Sequence, residues 1–196
     1  MAGLGKQAKI LSPNLISTAL SYLENTRHPD RNKLIFLFSI KAGLRAKEIA
    51  HITYSMVIDA NGDLLDHINL QNSAAKGDSG RVIPMAMELR EQLIKYRQIS
   101  NRIEPQDRII QTERSDKVSA QTIVSMFSAW YKDLGFDGCS SHSGRRTFIT
   151  KGAKKITSVG GSLRDVQYLA GHTSLATTQR YIDGDTAAQR KLIDLM

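Results

Sequence analysis

The sequence predicts an α+β protein, mainly α-helical with one small three-stranded antiparallel sheet. Apolar residues recur at helical spacing over most of the 196 residues, with capping residues where the runs begin. Between Ile52 and Pro84 the period shortens to that of strands, around one strong turn signal, Asn61-Gly62-Asp63. A composition of 41% hydrophobic and 23% charged residues is ordinary for a globular chain and sufficient for a sizeable core.

Each element has a local reason. Residues 1–10 read as a flexible, basic lead-in, and 11–196 as one domain, because no repeat, low-complexity stretch or linker divides it. Ser12-Pro13 is a helix start, serine capping and proline at the first helical position, with Leu15, Ile16, Ala19, Leu20 and Leu23 following on one face. A second helix begins near Asp30, carries Leu34, Ile35, Leu37 and Phe38 inward, and stops at Gly43. A short helix from Ala46 to His51 precedes the strands Ile52–Ile58, Leu64–Leu70 and Arg81–Pro84. The polar stretch Gln71–Gly80 connects the last two, and Pro84 ends the third. Helices are expected over 86–100, 119–134, 143–155, 163–170, 174–181 and 186–195.

Twenty-seven Lys and Arg against nineteen Asp and Glu give a net charge of +8, which favours a polyanionic partner. Cys139 is the only cysteine, which excludes an intramolecular disulfide framework and a cysteine-based zinc site. There is no signal-peptide pattern and no apolar run of membrane-spanning length. The expectation is a cytoplasmic, nucleoid-associated protein that binds no membrane. His28, His51 and His67 have no partner motif and read as structural or surface groups.

Chemistry concentrates in the last third. His142-Ser143-Gly144-Arg145 is followed by Gly171-His172 and, nine residues after that histidine, by Tyr181. Arginine offers a fixed fork for two phosphate oxygens, and histidine donates to phosphate or moves a proton near neutral pH. A tyrosine, with a free pKa of about 10, needs such neighbours before it can attack. The set implies phosphodiester chemistry with a tyrosine nucleophile. Ser141 to Lys155 holds five Lys and Arg and no acid, so Arg146, Lys151, Lys154 and Lys155 are candidates for DNA-backbone contacts, as is Arg81 on the third strand.

From about Leu11 to the end, the ordered motifs resemble the tyrosine recombinases of the phage integrase superfamily. Ala42-Gly43-Leu44-Arg45-Ala46-Lys47-Glu48-Ile49 is similar to the family's first box, whose arginine maps to Arg45. The polar turn before Arg81-Val82-Ile83-Pro84 is similar to its β-hairpin, whose lysine maps to Lys76. His142-Ser143-Gly144-Arg145-Arg146-Thr147-Phe148 is similar to the second box. Leu163 to His172 with Thr177-Thr178-Gln179-Arg180-Tyr181 is similar to the last. The resemblance implies the family's DNA breaking-rejoining fold and a site needing no metal or other cofactor. Arg45, Arg145 and His172 would hold the scissile phosphate. His142 would assist proton transfer, Lys76 would protonate the leaving 5′ oxygen, and Tyr181 would form a 3′-phosphotyrosyl link.

Two departures stand out. Where the second box ordinarily continues Leu-Arg-His, this chain has Gly144-Arg145-Arg146. Only about thirty residues beyond the lead-in precede Arg45, where most relatives carry a separate DNA-grasping domain. The plan is that of a catalytic domain alone, similar to the short fimbrial-type invertases. Double-stranded DNA, self-association into a synaptic tetramer and host DNA-bending proteins are the expected partners. The amphipathic tail 186–196 would dock on a neighbouring protomer or on its own core. Two rival readings remain. The stretch 163–181 also has the outline of a helix-turn-helix regulator, and a type IB topoisomerase would use nearly the same residues.

Overall fold

A computed structural model describes residues 7–75, 79–113, 115–182, 190, 193, 194 and 196. At its centre lies helix α2 (Pro29–Lys41), which buries each residue from Leu34 to Ile40, all apolar but Ser39; a helical stretch with no polar face must lie inside. Around it pack α1 (Pro13–Glu24), α4 (Met87–Ile99) and α6 (Ser143–Lys155), while α3 (Ala46–His51) packs against α5 (Ala120–Asp133). Ser12 and Ser119 cap α1 and α5, their side chains accepting from the backbone N–H groups of Leu15 and Thr122. Of the lead-in, Lys9 is fixed by its N–H to Gly138 O at 3.0 Å. Leu11 N–H reaches Thr147 Oγ1 on α6 at 2.8 Å.

The sheet has two strands rather than three. β1 (His67–Leu70) and β2 (Arg81–Pro84) pair antiparallel, His67 opposite Pro84 and Leu70 opposite Arg81. The expected strand over 52–58 is replaced by a 3-10 turn, Tyr54–Met56, flanked by single bridges from Thr53 to Arg108 and from Ile58 to Leu64. Its N–H groups find local and loop acceptors: Tyr54 donates to Asp107 O and Ser55 to Pro105 O. Tyr54, Met56 and Val57 are buried in the core at this turn. The β-branched composition marked burial there, and the turn supplied it without a ladder.

Two short helices complete the chain's second half, α7 (Leu163–Ala170) and α8 (Leu175–Gln179). With α6 they enclose a small second core of Ile149, Ala153, Val166 and Ala170, against which Phe148 and Tyr181 pack. The helix expected over 186–195 lies mostly outside the described residues.

Candidate active site

The site forms where two chain reversals, at the ends of α2 and α7, meet the start of α6. Helix α2 ends at Gly43, which adopts φ +65°, and Leu44 N–H turns back to Phe38 O at 3.1 Å. Gly43 is required twice over: its left-handed backbone disfavours a side chain, and an added Cβ would lie 2.4 Å from Phe148 Cδ1. The reversal delivers Arg45 to the start of α3. There Glu48, one turn in, accepts the Arg45 N–H at 2.8 Å through Oε2 and pairs with its guanidinium at 2.8 Å through Oε1.

The end of α7 is the organising surface. Gly171 takes φ +59° and His172 N–H closes back on Gln167 O at 3.1 Å. The last three carbonyls before His172 each accept from a different arginine. Leu169 O receives Arg81 Nε at 2.8 Å, Ala170 O receives Arg145 Nη2 at 2.5 Å, and Gly171 O receives Arg45 Nη2 at 3.2 Å. A helix C-terminus carries unpaired carbonyls and partial negative charge, so it attracts cations. Arg145 also donates to Gly43 O at 2.6 Å, which ties the ends of α2 and α7 together.

Glu48 and Arg81 complete this framework. Glu48 is fully buried, and Arg81 grips it with two bonds of 3.1 Å. Burial alone would raise the Glu48 pKa; its pairing with Arg81 and its contacts with Arg45 outweigh that and hold it below the usual carboxylate value. The Arg81 side chain is 1% exposed, so this residue is an internal tie, not the backbone contact expected of it. Glu48 lies within the first box, three residues after Arg45, but no sequence motif marks it as the partner of Arg81.

Cation crowding dominates the electrostatics. Burial, reinforced by Arg45, lowers the Arg145 pKa to about 9, while Glu48 pulls the other way. Burial, then Arg145, Arg45 and Arg81, lower the His172 pKa to about 4. His172 is therefore neutral at pH 7. Its Nδ1 lies 2.9 Å from the buried Thr178 Oγ1, so Nε2 is the nitrogen open to a ligand. The His172 and Tyr181 rings stack with centroids 5.7 Å apart at 23°. A preorganised positive site with so little acid is built for an anion.

His172 also makes stability depend on pH. Its folded pKa of about 4 lies below the ordinary 6.5, so the unfolded chain takes up the proton first. Stability is complete above about pH 6.5 and falls as pH drops toward 4. Melting midpoints of the wild type should fall more steeply across that window than those of His172→Gln; parallel curves would show that His172 titrates normally.

The structure thus brings Arg45, Arg145, His172 and Tyr181 together. A pocket of about 440 Å³ adjoins them, lined by His142, Arg145, Arg146, Arg180 and Tyr181, with Gln7 and Ala8 at its rim. His142 is exposed at the start of α6. Arg146 is half-buried, and Lys151, Lys154 and Lys155 are exposed along the same helix. Lys76 lies outside the described residues. A larger cavity of about 580 Å³ near Arg27 and Arg31 is lined by both signs of charge, Glu113 and Asp116 included, and holds none of these groups.

Comparison with known proteins agrees with this geometry. The phage integrase family model matches residues 9–187. The chain belongs to the phage integrase family. It is 28% identical over 166 residues to the tyrosine recombinase XerC of Rhizobium meliloti, covering 84% of this chain and 49% of that protein. It is 26% identical over 192 residues to the tyrosine recombinase XerA of Pyrococcus horikoshii, covering 95% and 60%. Among solved structures, a XerA recombinase superposes with a TM-score of 0.71 at 23% identity over 98% of this chain and 65% of that one. A lambda integrase dimer bound to a COC′ core site gives 0.70 at 20% identity over 93% and 50%. These structural likenesses establish the phage integrase catalytic fold. The chain spans about half the length of the curated relatives it matches. No helix among the described residues is long and apolar enough to cross a membrane.

Proposed function

We propose that this phage integrase family member is the catalytic part of a site-specific DNA recombinase working through a 3′-phosphotyrosyl intermediate. The observation that carries the reading is Tyr181 stacked on a neutral His172 beside Arg145, whose guanidinium, like that of Arg45, is anchored on the α7 carbonyls. Arg45 and Arg145 take the non-bridging oxygens of the scissile phosphate, and His172 Nε2 adds a third donor. The Tyr181 oxygen bonds to phosphorus as the bond to the 5′ oxygen breaks. Lys76 supplies the proton that the 5′ oxygen takes up, and His142 assists proton transfer at the phosphate or the tyrosine. The phosphoester bond is conserved in the protein–DNA link, so a 5′-hydroxyl of another strand can reverse the step without ATP.

A double-stranded DNA partner, a synaptic tetramer, host DNA-bending proteins and a nucleoid location follow from this reading. The helix-turn-helix alternative is weakened because α8 is only Leu175–Gln179 and its Thr178 is buried against His172. The topoisomerase reading shares the chemistry, and the family match supports the recombinase. The test uses nicked suicide duplexes carrying candidate sites from repeats that flank the gene. Wild-type protein should give a denaturant-resistant adduct, and Tyr181→Phe none. An adduct that persists in Tyr181→Phe would remove the nucleophile assignment.

A further inference from the structure

Two arginines beside the nucleophile lack what the other three have. Arg45, Arg81 and Arg145 are tied to backbone carbonyls or to Glu48. Among the described residues, the side chains of Arg146 and Arg180 hydrogen-bond to nothing, and Arg146 Nε is buried without an acceptor. Both line the pocket of about 440 Å³ that holds Tyr181, together with His142 and Arg145. Among the described residues no acid lines that pocket, and the first turn of α6, which supplies Arg145 and Arg146, contains none.

This arrangement carries two costs in the absence of ligand. A buried N–H without an acceptor keeps its full desolvation penalty, and cations sharing a space without a carboxylate repel one another. One anion seated between Arg146 and Arg180 relieves both, since guanidinium pairs with phosphate oxygens through parallel charge-assisted bonds. That anion is not the phosphate held by Arg145. Consecutive helical residues point about 100° apart, so Arg146 addresses a different position from its neighbour.

We infer that Arg146 and Arg180 form a second phosphate subsite, which takes the DNA phosphodiester adjacent to the one attacked by Tyr181. The identity of the attacked phosphate rests on the proposed function. Arg180 directly precedes Tyr181 and closes α8 with its N–H on Ala176 O at 3.3 Å. A phosphate bound there therefore fixes the strand relative to the nucleophile as well as adding affinity.

Salt dependence of binding to a generic 30-base-pair duplex tests the subsite without any cleavage. The slope of log K against log salt should shrink by about 0.9 in Arg146→Gln and in Arg180→Gln, and by about 1.8 in the double variant. Arg180 is exposed, so its variant keeps the test valid should Arg146→Gln fold poorly. On suicide duplexes, a neutral methylphosphonate at the adjacent phosphate should slow adduct formation by the wild type and add no further loss in the double variant. Unchanged slopes in both single variants, or a full methylphosphonate penalty in the double variant, would overturn the subsite. If no duplex gives an adduct, the recombinase reading fails while the slopes still decide this one.

Discussion

Arg145→Lys is expected to slow phosphotyrosyl formation about 10²–10³-fold while leaving the charge in place. The guanidinium donates to Gly43 O and Ala170 O at the same time, at 2.6 and 2.5 Å, and must still offer donors to a phosphate. An ammonium is a point charge without that fork, so it satisfies one demand at the expense of the others. Position 145 also resists a cation, since burial with Arg45 beside it already lowers the arginine pKa to about 9. A lysine begins lower, near 10.4, and the same surroundings push it toward the neutral form. Residual activity of Arg145→Lys should therefore rise more steeply than that of the wild type as pH is lowered from 9 to 7. Single-turnover adduct yields across that range decide the matter, and a variant within threefold of the wild type would show that charge alone suffices.

Glu48→Gln should be the most destabilising single change in the site. Glu48 is fully buried and is the carboxylate shared by Arg45 and Arg81, so its loss leaves buried positive charge without a counterion. Breaking a buried pair from one side costs about 3–5 kcal/mol, or about 6–20 °C in melting temperature for a domain of this size. The amide keeps the shape, so the loss isolates charge from packing. Because pairing holds the Glu48 pKa below the ordinary value, the wild type keeps this stability above about pH 4.3 and loses it below. The variant's melting curve should be flatter in that acid range. A melting point within 2 °C of the wild type would show that the arginines are compensated by other groups.

Much of this site was legible because its parts are local. Arg45 follows a glycine stop, Arg145 opens a helix, and His172 follows the glycine that ends another, and each has a recognisable neighbourhood in sequence. Capping at Ser12 and Ser119 fixed two helix starts for the same reason. What could not be read was set by distant partners. Arg81 looked like a surface cation on a strand, and only a carboxylate 33 residues away turns it inward. The carbonyls of Leu169, Ala170 and Gly171 have no side-chain signature at all. The 52–58 segment has the composition of a strand because burial and β-branching coincide there, whereas its hydrogen bonds go to its own turn and to scattered partners, among them Glu48, Leu65 and residues 105–109.

The three carbonyls at the end of α7 have a consequence for when the protein can act. Their arginines come from positions 45, 81 and 145, segments that meet only after most of the chain has closed. A partly folded chain still has its tyrosine and its arginines, yet has no assembled seat for a phosphate. DNA-cutting capacity should therefore appear together with the native fold and vanish with it.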